Sequence, residues 1–122
     1  AIYKKSDREC SYEDLKKEIA GYIPQVPETY GYIYAFYGVI NEHQLAIGES
    51  TFTGLKKMQS KKGLFNCYEL TRIASERCKT ARGAIKLMGK LIKKYGYNDG
   101  GECLTIADKK EVWHMEMIGP GK

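Results

Sequence analysis

Hydrophobic and polar positions change rhythm along this chain, and the changes mark its elements. Residues 1–30 are polar and interrupted by Pro24 and Pro27. Within them Ser11, followed by Glu13 and Asp14, signals a short helix from Tyr12 to Ala20, because a hydroxyl can cap free amides and acids complement the positive end of the helix dipole. The stretch "GYIPQVPETYG" reads as extended loop, since each proline fixes its own backbone and keeps the residue before it out of the helical region. Ile33 to Val39 is almost continuously aromatic and aliphatic, the pattern of a strand covered on both faces. Leu45 to Ser50 pairs back onto it through Asn41, Glu42, His43 and Gln44, with Asn41 and Glu42 organising the turn.

Thr53 to Asn66 is rich in lysine and glycine and reads as a surface loop. Period-3.6 spacing then begins: Leu70, Ile73, Ala74 and Cys78 form one apolar stripe, with Glu69, Arg72, Glu76 and Lys79 mostly outside it. Thr80 is the N-cap of a second helix whose stripe is Ala81, Ala84, Ile85, Met88, Leu91, Ile92 and Tyr95. Gly96 supplies its stop, and Lys93 and Lys94 complement the negative end of its dipole. Two short strands, Cys103 to Ala107 and Glu111 to Ile118, flank the polar turn Asp108-Lys109-Lys110. Neither alternate set of Val112 to Met117 is purely polar, which predicts cover on both faces.

The order hairpin, helix pair, hairpin predicts an α+β fold. It is organised as a single partial domain over 1–122: a lead-in segment (1–30), a hairpin (31–52), a helix pair (67–95) and a second hairpin (102–118). With 122 residues and 43% hydrophobic content, one core is affordable and two are not. The net charge of +5 comes largely from lysine pairs beside turns and on helix faces, the usual place of solvated charge. No motif that reads RNA or DNA accompanies it, so no nucleic-acid partner is expected. No apolar run is long enough to span a bilayer, so no membrane partner is expected either.

The cysteines Cys10, Cys67, Cys78 and Cys103 form no CxxC pair, and only His43 and His114 add soft ligands. No metal site and no cofactor are expected from that spacing, and the thiols point to a reducing, cytoplasmic setting. His43 reads as a turn residue and His114 as a core or half-buried strand residue, neither with a visible catalytic partner. Cys67, next to a helix start, lacks a visible base, and Met88, Met115 and Met117 read as packing. Glu49, Ser50 and Thr51 are the candidates for chemistry, because a strand end holds side chains rigidly while leaving them open to a cleft. The competing reading is that Ser50 and Thr51 hydrogen-bond local backbone.

The blocks "PQVPETY", "INEHQLAIGESTF", "IASERCKTARGAIKLMGKLIKKYGY" and "GECLTIADKKEVWHMEMIGPGK" occur in that order and together resemble one family. It is the cysteine dipeptidases of the dipeptidase A and secernin group, within the N-terminal nucleophile hydrolases, and the resemblance runs from about Gly21 to Lys122. It implies part of an αββα sandwich, in which two stacked antiparallel sheets lie between helical layers. It also implies hydrolysis of dipeptides by a cysteine at the mature N-terminus, whose own α-amino group accepts the proton. The chain departs from this in two places. It starts at Ala1 rather than cysteine, and Gly83 stands where the family favours a glutamate that completes a capping box with Thr80.

The expectation is therefore an internal fragment of a cysteine dipeptidase, inactive alone. Its nucleophile lies outside the fragment, Glu49, Ser50 and Thr51 lie nearest the substrate cleft, and its partners are a dipeptide and the rest of its own chain. The alternative is a non-catalytic α+β interaction module that uses its basic surface to bind an acidic partner.

Overall fold

The computed structural model describes residues 2–3, 19–35 and 38–119. The fold is α+β. Its centre is a five-stranded antiparallel sheet in sequence order, β3 (Tyr32–Ala35), β4 (Gly38–Asn41), β5 (Ala46–Thr53), β6 (Gly101–Ala107) and β7 (Val112–Met117). Helices α1 (Cys67–Arg77) and α2 (Ala81–Tyr95) enter between β5 and β6 and pack on one face. A separate two-stranded ribbon pairs β1 (Ile2–Tyr3) with β2 (Ile19–Gly21). Most of the helix expected from Tyr12 to Ala20 lies outside the described residues; at its end Ile19 and Ala20 are strand.

The run from Ile33 to Val39 is not one strand. Tyr32–Ala35 and Gly38–Asn41 pair antiparallel, with Ile33 opposite Ile40 and Ala35 opposite Gly38, so the chain reverses between them. A continuous apolar run is compatible with one buried strand or with two, and only the pairing distinguishes them. The following strand is also longer than expected, reaching Thr53 rather than Ser50. Thr53 itself adopts a positive φ of 62° and Gly54 one of 70°, and this left-handed pair ends the strand.

Because side chains alternate across a strand, the register sorts every residue onto one of two faces. The rows Val39, Ile47, Ile106, Trp113 and Glu49, Leu104, Met115 and Thr51, Glu102, Met117 face the helices. The opposite face carries Ile33, Ile40, Ala46, Ala107 and Val112 in one row across all five strands. It is uncovered by the described residues: Ile33 is 71% and Val112 63% exposed. Cover on both faces of β7 is thus corrected to cover on one. Val112, His114 and Glu116 are exposed, while Met117 is buried. The second sheet and further helical layer implied by an αββα sandwich are not among the described residues.

Both helices start as the caps dictate. The Asn66 side chain accepts from the Glu69 amide, and Thr80 Oγ1 accepts from the Gly83 amide. The substitution of glycine at position 83 therefore leaves the Thr80 half of the cap intact. Asp108 adds a second tie, since its Oδ2 accepts from the Ala81 amide while its Oδ1 accepts from the Lys110 and Glu111 amides of the β6–β7 turn. These bonds hold the Asp108 carboxyl below its ordinary range. Glu69 is buried rather than outside the α1 stripe. It pairs with Arg72 at 2.6 Å, and Arg72 also reaches Glu76. Burial alone would make the Arg72 guanidinium easier to deprotonate, and the two carboxylates outweigh it.

Met88 is fully buried beneath α2, whereas Ile85 on the same stripe is only partly covered. Met88→Ala should cost about 2–5 kcal/mol, and Ile85→Ala roughly 1 kcal/mol, as less apolar surface is returned to water. Denaturant midpoints check the order. Equal losses would mean that the two positions pack alike.

Candidate functional site

Glu49, Ser50 and Thr51 lie in the middle of β5, an eight-residue strand, rather than at its end. The pleat separates them. Ser50 projects from the open face, where it stands opposite Cys103, and Cys103 stands opposite Glu116. On the adjacent row of that face Thr105 Oγ1 lies 3.2 Å from His114 Nδ1. His114 is exposed, not half-buried. The open face therefore gathers two hydroxyls, a thiol, a carboxylate and an imidazole on two neighbouring rows.

Glu49 and Thr51 point the other way, toward the start of α1. Thr51 Oγ1 donates to Glu49 Oε1 at 3.1 Å. Beside them stand Glu102, opposite Thr51 in the register, and Cys67, the first residue of α1. One ligand atom from each of Glu49, Cys67 and Glu102 lies within 4.8 Å of the other two. Glu102 is 1% exposed, and its Oε2 has no hydrogen-bond partner. Burial pushes this carboxyl up to about 7; contact with the Thr51 hydroxyl opposes the rise, and the negative charges of Glu49 and Asp99 add to it. Next to the cluster the buried Tyr97 hydroxyl donates to the Gly100 carbonyl at 3.0 Å, and burial, reinforced by Asp99, keeps it a neutral phenol.

Sequence reasoning alone does not single out Glu102. A signal existed, because Glu102, Leu104 and Ile106 occupy one alternate set of β6 and a lone acid on an apolar set is a buried charge in waiting. From sequence, Cys67 offers itself only as a nucleophile. The fold buries it at 1% exposure, which keeps a peptide from reaching it. Cys78 is also buried, and burial pushes its thiol up to about 11. Cys67, Cys78 and Cys103 form no disulfide, and Cys10 lies outside the described residues.

Asn41 closes the first turn and also reaches beyond it. Its Oδ1 accepts from the His43 and Leu45 amides while its Nδ2 donates to the Ser75 and Cys78 carbonyls at the end of α1. Glu42 Oε1 accepts from the Gly31 amide. His43 is a half-buried turn residue whose ring meets Tyr30 edge-on at 4.4 Å. A concavity of about 180 Å³ lies elsewhere, between Ile23, Gln25, Thr29 and α1. There Arg77 donates to the Pro24 carbonyl and to Gln25 Oε1. Among the described residues no helix is long and apolar enough to cross a membrane.

The model of peptidase family C69 matches residues 9–122, and the chain belongs to that family. Its class is thus that of a peptidase, a hydrolase of amide bonds.

Proposed function

We propose that the chain is part of a cysteine-type dipeptidase of the N-terminal nucleophile kind. The family match across residues 9–122 is the observation that carries this reading. The burial of Cys67 and Cys78 supports a nucleophile other than these two, a cysteine that presents its own α-amino group as base. Within this chain the open face of the sheet meets the substrate. Ser50 is the residue of the original three that projects there, with Cys103 opposite it. Glu49 and Thr51 serve the buried cluster behind the sheet instead. A dipeptide and the remainder of the catalytic machinery are the partners of this face.

The test is release of amino acids from a panel of dipeptides. The 122-residue chain by itself should release none, because an activated nucleophile supplies several kcal/mol of barrier reduction that the remaining groups lack. A longer natural chain that contains these residues and exposes an N-terminal cysteine should hydrolyse them and lose the activity on alkylation. In that enzyme Ser50→Ala should lower kcat/KM roughly tenfold at unchanged Tm, the worth of one hydrogen bond to substrate. Turnover by the 122-residue chain with all four cysteines replaced by serine would overturn the thiol mechanism.

A further inference from the structure

We propose that Glu49, Cys67 and Glu102 form a binding site for one divalent cation of the zinc type, pinning the first residue of α1 to the central strands β5 and β6. The donors converge from three elements far apart in the chain, with ligand atoms within 4.8 Å of one another. Such a cluster alone would be only an acidic corner with a thiol. What distinguishes it is Glu102: the residue is 1% exposed, belongs to the converging set, and has one oxygen, Oε2, without a hydrogen-bond partner. A buried carboxylate oxygen without a donor is costly, and a cation is one of the few partners that satisfy it.

The donor set selects the metal. A thiolate favours zinc and cadmium over magnesium and calcium, which take oxygen ligands, and two carboxylates complete a mixed sulfur–oxygen set. Bonds of roughly 2.3 Å to sulfur and 2.0–2.2 Å to oxygen need donors about 3.3–3.8 Å apart. The three ligand atoms lie within 4.8 Å of one another, so binding would draw them together by about 1.5 Å at most. Three protein donors leave a fourth position for water. Access is available from the Thr51 side, since Thr51 is exposed and Glu49 is only partly covered. Thr51 also holds Glu49 through its 3.1 Å hydrogen bond, an outer contact that orients a ligand carboxylate. The proposal is independent of the peptidase reading, as it concerns the back of the sheet and not the face that meets substrate.

The experiment titrates the chelator-treated chain with Cd²⁺ alone, following the ultraviolet thiolate-to-cadmium charge-transfer absorption, and then repeats it with Zn²⁺ in competition. One equivalent should saturate the band, Zn²⁺ should displace it, and Mg²⁺ should not. The band should vanish in Cys67→Ser and persist in Cys10→Ser, Cys78→Ser and Cys103→Ser. Glu102→Gln keeps the shape of the neutral acid and is expected to fold by circular dichroism. It should weaken Cd²⁺ binding more than tenfold, and Glu49→Gln should do the same, so the test survives a failure of Cys67→Ser to fold. A band that persists in Cys67→Ser, unchanged affinity in a folded Glu102→Gln variant, or no saturable band in the original chain would overturn the site.

Discussion

Asn41→Ala is expected to destabilise the fold by about 3–5 kcal/mol. The residue is 4% exposed and uses its whole amide: two acceptor contacts hold the β4–β5 turn, and two donor contacts at 2.9 and 2.8 Å fasten that turn to the Ser75 and Cys78 carbonyls. Truncation leaves two amides and two carbonyls short of a partner, and an unmade buried bond costs more than a made one contributes. Asn41→Asp separates the halves. It keeps both acceptor contacts, loses both donors and sets an anion against two carbonyl oxygens, so it should be no more stable than the alanine variant above the carboxyl pKa and recover partly as pH falls. Urea unfolding at constant m measures both. A midpoint for Asn41→Ala within the equivalent of about 1 kcal/mol of the original would show that water replaces these contacts.

Glu102→Gln is expected to remove most of the chain's loss of stability between mildly acid and neutral pH. The sign follows from the raised carboxyl. Its ordinary value is 4.5 and its folded value about 7. Below 4.5 the acid is protonated in both folded and unfolded states, and burial carries no charge penalty. As pH rises through about 7, the folded protein must bury an anion beside Glu49. Metal-free protein should therefore lose stability across that window, on the order of 2–3 kcal/mol. Asp108 works in the opposite direction, its lowered carboxyl contributing stability that is lost only as pH falls. The original protein and Glu102→Gln share that contribution, so the difference between them isolates Glu102. Denaturation in the presence of a chelator from pH 4.5 to 8 is the measurement. If Glu102→Gln were the less stable protein at the alkaline end, Glu102 would be serving the fold as a satisfied anion.

These two residues differ in how far sequence reveals them. Asn41 stands between an apolar run and a strand, where a short amide side chain bridging neighbouring backbone groups is a local device. Its role in the turn is accordingly legible, while its grip on α1 depends on residues 34 and 37 positions away. Glu102 follows the "NDGG" loop, and its place on the alternate set with Leu104 and Ile106 points only to burial. Its meaning changes only when Thr51 is known to stand opposite it and Cys67 above it.

Neighbouring residues settle part of this fold among themselves. Thr80 and Gly96 bound α2 because cap geometry involves only the first and last turns, and the apolar spacing of Leu70, Ile73 and Ala74 or of Ala84, Met88 and Ile92 leaves one buried face for each helix. The β6–β7 hairpin follows from Asp108 and its turn in the same way. Tertiary structure alone decided where the continuous run around Ile33 reverses, how far β5 extends, and which face each of Glu49, Ser50 and Thr51 occupies. The reason is the two-residue period of a strand: its local pattern permits either orientation, and a partner strand must choose. The same pairing brought Glu49, Cys67 and Glu102 to one place, because burial, desolvation and mutual charge are properties of distances in space that spacing along the chain does not contain.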